Sequence, residues 1–158
     1  GGDFYEFGGI TRSVTLHQLP FKPVREEHRN DEARPILIDG IAVIPTEDLK
    51  HVNVSLRLGG AAALPTSAQL SFNGGTVKTV SGSTSGGALR LDNIAVPASA
   101  STPWSVASPT LHNLTVTIAS SGDSVTARFG LRTLGVSSNG RITINGETTK
   151  LHGFKRHT

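Results

Sequence analysis

Catalysis by carboxyl groups needs two acids held close together, one to protonate a leaving group and one to attack or to activate water. The acids of this chain are Asp3, Glu6, Glu26, Glu27, Asp31, Glu32, Asp39, Glu47, Asp48, Asp92, Asp123 and Glu147. Most fall in a charged linker or in turns, and none makes a pair on adjacent predicted strands among aromatic residues. Six histidines raise the question of metal. His17, His28, His51 and His112 lie on separate predicted elements, without a second ligand at i+2 or i+4. His152 and His157 are five apart with no carboxylate between them. A zinc site needs three or four converging ligands, so the first four read as surface or satisfied core histidines and no metal is expected. No G-x-S-x-G elbow surrounds a serine; Ser81-Gly82-Ser83 and Ser85-Gly86-Gly87 read as loop. No glycine pattern that would cradle phosphate sits between a strand and a helix, and no cofactor is expected. The sequons at Asn53 and Asn113 lie within predicted strands, which argues against reading them as glycosylation sites.

The elements that would position these residues follow a period of two. In His51–Leu58, Val52, Val54, Leu56 and Leu58 point one way, and His51, Asn53, Ser55 and Arg57 the other, which predicts a half-buried strand. Ala68, Leu70 and Phe72 repeat the pattern, and Asn73-Gly74-Gly75 then tolerates the positive φ of a tight turn. Val77–Val80 and Ala88–Leu91 are shorter candidates on either side of the Ser/Gly-rich 81–87. Leu114, Val116 and Ile118 form the inner row of another strand. Val125, Ala127, Phe129 and Leu131 form the next, after a turn at Ser121-Gly122-Asp123. No sustained helical period with caps appears in this region. About seven short strands over roughly a hundred residues, punctuated by turns, predict an all-β sandwich, placed at 36–133. Strict alternation also argues against a parallel α/β sheet, whose strands are apolar throughout.

The ends read differently. Ile10–Leu19 predicts a strand, with Val14 and Leu16 facing in, ending at Pro20. Residues 21–35 contain two prolines and little apolar content, as a linker does. Near the other end, Asn145-Gly146 between Arg141–Ile144 and Glu147–Leu151 is a strong hairpin signal. A new strand then starts at Leu151–Phe154 and the sequence stops at Thr158, which reads as a cut inside a longer protein.

Composition narrows the classes further. The 158 residues fit one domain with some flanking sequence, and an apolar fraction of 36% is enough for one core. Eighteen glycines and few aromatics suit short strands and tight turns. Without cysteine there is neither a disulfide framework nor a thiolate metal site. No apolar run approaches the roughly 18 residues of a membrane helix, and no membrane partner is expected. The first residues do not read as a secretory leader, but in a chain that reads as starting inside a larger protein this says little about the compartment; a cytoplasmic location is slightly favoured. The net charge is +3, but the densest basic stretch, 22–34, interleaves Arg25, Arg29 and Arg34 with Glu26, Glu27, Asp31 and Glu32. A nucleic-acid surface gathers its basic residues on one face, so no nucleic-acid partner is expected.

Four stretches, in order, resemble the glycoside hydrolases of family 2. Asp3-Phe4-Tyr5-Glu6-Phe7-Gly8-Gly9-Ile10-Thr11-Arg12-Ser13-Val14-Thr15-Leu16 is similar to the end of that family's sugar-binding jelly roll, and its acidic start before two aromatics looks most like β-glucuronidases. Pro103-Trp104-Ser105, Ser108-Pro109 and Leu111-His112-Asn113-Leu114-Thr115-Val116 resemble the W-S…P-x-L-Y-x-L segment of its immunoglobulin-like domain. His112 stands where tyrosine is common, leaving a tyrosine corner without its usual donor. Phe129-Gly130-Leu131-Arg132-Thr133 matches the F-G-x-R motif that closes that domain. Ile144-Asn145-Gly146-Glu147 through Leu151-His152-Gly153-Phe154-Lys155-Arg156-His157 looks like the hairpin and first strand leading into the catalytic barrel.

The resemblance implies an immunoglobulin-like β-sandwich at 36–133, preceded by the last strand of a jelly roll at 1–20 and a linker at 21–35, and followed at 134–158 by the start of a TIM barrel. It implies a retaining exo-β-glycosidase as the parent, most like a β-glucuronidase, with β-galactosidase and β-mannosidase as alternatives. Both catalytic glutamates would then lie beyond Thr158, and the sandwich would be a non-catalytic spacer. Its partners would be the jelly roll and barrel of the same chain, a β-glycoside in the parent enzyme, and further copies in a homo-oligomer. Asp3 matches an acidic residue that reaches sugar hydroxyls, and ionised Asp accepts such hydrogen bonds. His157 matches the histidine of the family's R-H-E motif, which also reaches the sugar. Thr158 replaces the glutamate of that motif, and Lys155 stands where asparagine or glycine is more common. Trp104 reads as a packing residue at the sandwich end rather than a platform for sugar. The rival is a free-standing immunoglobulin-like binding module for glycans or proteins.

Overall fold

The computed structural model describes residues 36–60, 64–151 and 153. They form eleven strands and a single 3-10 turn at Ala98–Ala100. The strands are β1 (Leu37–Pro45), β2 (His51–Gly59), β3 (Ser67–Phe72), β4 (Lys78–Ser81), β5 (Ser83–Ser85), β6 (Ala88–Ala95), β7 (His112–Thr117), β8 (Ser124–Phe129), β9 (Leu134–Val136), β10 (Ile142–Ile144) and β11 (Glu147–Thr148). Two four-stranded antiparallel sheets, ordered β1-β2-β6-β5 and β4-β3-β7-β8, make the sandwich, and β11-β10-β9 forms a small third sheet. The fold is an all-β sandwich, as the alternation implies, and it is immunoglobulin-like, as the resemblance implies.

Alternation builds the core directly. Val52, Val54, Leu56 and Leu58 of β2 and Leu89, Leu91 and Ile94 of β6 are buried from one sheet. Ala68, Leu70 and Phe72 of β3, with Leu114 and Val116 of β7, meet them from the other. Phe129 and Leu131 close one end, where the Phe72 and Phe129 rings meet edge to face, 6.1 Å between centroids, and Ile118 lies at the opposite end.

The sandwich has eight strands rather than about seven, and the differences have local causes. β1 escapes period-two reading because its register with β2 shifts between Ile38 and Gly40; the bulge breaks the alternation at Asp39. β6 runs on to Ala95, past the expected Leu91, through a second shift where Asn93 takes φ 55°. The Ser/Gly-rich 81–87, read as loop, holds β5, and the chain leaves one sheet at Ser81 to join the other at Ser83. Gly82 makes that crossing possible, because a Cβ there would collide with the carbonyl oxygen of Arg90. At the open side between β1 and β8, the Asp123 carboxylate accepts the backbone N–H of Ile38 (2.7 Å) and of Ser124 (3.0 Å), tying the two sheets together.

Candidate functional site

Among the described residues, the segments that carry sequence motifs converge at one end of the sandwich: the 96–111 connection from β6 to β7, the tail of β8 at 129–133, and the β10–β11 hairpin. The backbone N–H of Trp104 donates to the Leu131 carbonyl at 3.0 Å. Because side chains alternate beyond β8, Leu131 faces the core while Gly130 and Arg132 share the outer face. The indole lies against Gly130, where an added Cβ would stand 3.1 Å from Cδ1. The Arg132 guanidinium carbon sits 4.4 Å above the ring, a cation–π contact worth about 0.5–1 kcal/mol at an exposed site. Trp104 therefore packs where the F-G-x-R segment leaves it room, and Arg132 takes a face that a sugar would need.

Asn145 joins the third sheet to this cluster. As the first residue of a two-residue hairpin turn it takes φ 53°, a left-handed conformation that asparagine adopts more readily than most residues. Its backbone N–H donates to the Thr133 carbonyl (3.0 Å), and its Oδ1 accepts the Thr133 N–H (2.9 Å). Its Nδ2 donates to the Trp104 carbonyl at 2.8 Å. One carboxamide thus connects the hairpin to both motif-bearing segments of the sandwich end. The sequence marks Asn145 only as a turn residue; the side-chain role needs partners 12 and 41 positions away.

His112 is buried and satisfied. Its Nε2 lies 2.8 Å from the Thr102 carbonyl oxygen and must carry the proton, since a carbonyl only accepts. Nδ1, left as the acceptor, faces Asn73 Nδ2 at 3.4 Å, and the ring stacks at a tilt on Phe129, 5.8 Å between centroids. The imidazole thus supplies a side-chain-to-backbone tie where a phenol would otherwise serve. Asn73 repeats the Asn145 device: at φ 48° its backbone N–H and its Oδ1 bond the carbonyl and N–H of Asn113 (both 2.9 Å), while Nδ2 donates to Ser99 (2.7 Å).

The remaining titratable groups serve turns. Asp48, in the β1–β2 turn, accepts the Thr46 hydroxyl (2.6 Å) and the Lys50 N–H (2.8 Å) and pairs with His51 Nδ1 (2.9 Å). The Thr46 hydroxyl first, then the Lys50 amide, hold its carboxyl well below the usual carboxylate range. The Asp48 side chain is about half open to solvent and that of His51 less so. Among the described residues no cluster of three or more His, Cys, Asp or Glu could hold a metal ion. Asp3 and His157, the residues expected to reach sugar, lie outside the described residues, as do the 1–20 strand and the 21–35 linker.

A family model of the glycosyl hydrolases family 2 matches residues 36–132. The chain is 30% identical over 162 aligned residues to the β-galactosidase BgaC of Bifidobacterium adolescentis, covering 98% of this chain and 14% of that protein. Two solved structures share the fold: a family 2 β-galacturonidase of Eisenbergiella tayi bound to galacturonate (TM-score 0.58, 19% identity, 78% of this chain and 23% of that one) and a β-glucuronidase of Parabacteroides merdae (TM-score 0.51, 20% identity, 78% and 17%). The chain thus spans 14% of the length of the curated relative and less than a quarter of each of these structures.

Proposed function

This chain belongs to the glycosyl hydrolases of family 2, and from that membership we propose that it is the non-catalytic sandwich segment of a retaining exo-β-glycosidase, a rigid spacer between a sugar-binding jelly roll and a catalytic barrel. The observation that carries this reading is the Asn145 junction. It bonds the hairpin to the Trp104 and Thr133 backbones, so whatever continues from the hairpin is held at a fixed angle to the sandwich. A second feature supports it. Leu134 and Val136 of β9 pair with Ile144 and Ile142 of β10, so all four share one face of the third sheet. Leu134, Val136 and Ile142 are 69%, 72% and 43% exposed. An apolar face of this kind suits burial against another domain, and the proposed occupant is the barrel that follows.

In the parent enzyme Asp3, from the jelly roll, and His157, from the first barrel strand, would bind the sugar, while two glutamates of the barrel, beyond Thr158, would act as acid and nucleophile. The opening Asp3-Phe4-Tyr5 favours a β-glucuronide as substrate. Identity of 30% to a β-galactosidase favours a β-galactoside as the second reading.

The test is peptide mapping and intact mass of the native gene product, then its turnover of a panel of nitrophenyl β-glycosides. The expected product is several times heavier than this chain, hydrolyses the β-glucuronide with retention, and loses that activity when cut back to residues 1–158. Preference for the β-galactoside would establish the second reading. A native product ending at Thr158, folded and binding glycan or protein without a barrel, would replace the spacer with a free-standing binding module.

A further inference from the structure

Three Asn-Gly steps occur in the described residues, Asn73-Gly74, Asn139-Gly140 and Asn145-Gly146, and the fold treats them differently. An Asn-Gly step deamidates when the backbone nitrogen of the glycine attacks the asparagine Cγ. That nitrogen gives up its proton, a C–N bond closes a five-membered succinimide, and Nδ2 departs with a proton as ammonia. Water then opens the ring at either carbonyl, leaving aspartate or isoaspartate. Glycine at the second position leaves the approach unhindered. The reaction needs a carboxamide free to turn toward the next peptide nitrogen.

Two of the three carboxamides cannot turn. Asn73 is held at both ends, Nδ2 by the Ser99 carbonyl (2.7 Å) and Oδ1 by the Asn113 N–H (2.9 Å). Asn145 is held likewise by the Trp104 carbonyl (2.8 Å) and the Thr133 N–H (2.9 Å). In each case the backbone N–H of the same asparagine also bonds across to the residue that its Oδ1 engages, so freeing the side chain means parting two segments of the fold. Asn139 differs in its bonding, not in exposure, which Asn73 shares. It lies in the 137–140 turn between β9 and β10, and among the described residues its Nδ2 has no partner. Its Oδ1 accepts only the Ser137 hydroxyl (2.6 Å), a residue of the same turn, and the Gly140 N–H donates to the Ser137 carbonyl (2.9 Å). Both bonds are local and solvent-exposed, and open without disturbing either sheet of the sandwich.

We propose that Asn139 is a spontaneous modification site of this protein, converting to aspartate and isoaspartate while Asn73 and Asn145 are protected by the fold. The product places a new negative charge, and for isoaspartate an extra backbone methylene, at the tip of the hairpin next to the apolar face of the third sheet. The inference is independent of the glycosidase reading.

The experiment is incubation of the 158-residue chain in warm, mildly alkaline buffer, with one sample folded and one in concentrated urea. Timed peptide mapping by mass spectrometry is joined to labelling by an isoaspartate-specific methyltransferase. In the folded sample Asn139 is expected to convert at least about tenfold faster than Asn73 and Asn145, the protection that two hydrogen bonds per carboxamide can give. In urea the three rates are expected to agree within about threefold, since glycine follows each and no fold restrains them. Conversion of Asn73 or Asn145 first in the folded sample, or an Asn139 rate as slow as theirs, would overturn the proposal. So would a tenfold spread that persists in urea, because it would place the selectivity in the local sequence.

Discussion

At the scale of single residues, backbone groups at the motif-bearing end of the sandwich are met by side chains that imitate backbone. Asn73 and Asn145 each exchange two hydrogen bonds with one distant residue, as a strand partner would, one through the backbone N–H and one through the side-chain Oδ1. His112 ties β7 to the Thr102 carbonyl in the same spirit. Replacing it by phenylalanine keeps the ring on Phe129 but removes the donor, and His112→Phe is expected to cost about 1–2 kcal/mol in urea unfolding, with no change in slope. Asp48 predicts a pH effect. Its folded pKa lies below the unfolded value of about 4, so the unfolded chain binds the proton first. The stability it contributes is complete above that value and is lost as the pH falls through the folded pKa. Thermal melts of the wild type and Asp48→Asn should therefore differ at neutral pH and converge on acidification. A gap that widens below pH 4 would contradict the assignment. His112 and Trp104 announce themselves in the sequence through their motifs. The second jobs of Asn73 and Asn145 do not, because a turn asparagine looks the same whether its side chain faces water or a carbonyl forty residues away.

Among the elements, what was legible follows from where alternation survives. β2, β3, β7 and β8 keep one face apolar without interruption, and each can be read off from the sequence. β1 hides because a bulge at Asp39 shifts its phase by one residue, and beyond it the outward-facing Ala42 and Ile44 are as apolar as the inward Ile41 and Val43. β5 hides because its three residues are serine and threonine at a sheet edge, where no buried row imposes a pattern. The crossing between β4 and β5 depends on a missing side chain. Gly82→Ala drives a Cβ into the Arg90 carbonyl and toward Leu91, and is expected to lose about 1–3 kcal/mol or more, as overpacking does. Gly40→Ala is its control: there the new Cβ meets only the flexible Arg57 guanidinium at 3.4 Å, and a change within about 0.5 kcal/mol is expected from chemical denaturation.

For the whole molecule, sequence pattern defines the sandwich and motif order defines the family, but neither shows that the third sheet leaves an apolar face outward. That is a property of pairing: Leu134 and Val136 come to share a face with Ile142 and Ile144 only through the β9–β10 register. If this face awaits the barrel, polar substitution has opposite effects in two settings. Leu134→Ser with Val136→Thr should reduce self-association of the 158-residue chain, read by sedimentation. In the proposed parent enzyme the same pair should lower the melting temperature by removing apolar area from an internal interface. Unchanged melting of the complete enzyme would show that the barrel does not cover this face.

The Asn145 junction also has an order in time. Every group that Asn145 engages, from Trp104 to Thr133, precedes it in the chain. A polypeptide made from its N-terminus can therefore complete this junction as soon as the hairpin has cleared the ribosome, while whatever follows is still unmade. On the spacer reading proposed above, a barrel that follows would grow from an anchorage already set, and a fault at Asn145 would appear first as misassembly during synthesis rather than as a weaker finished protein.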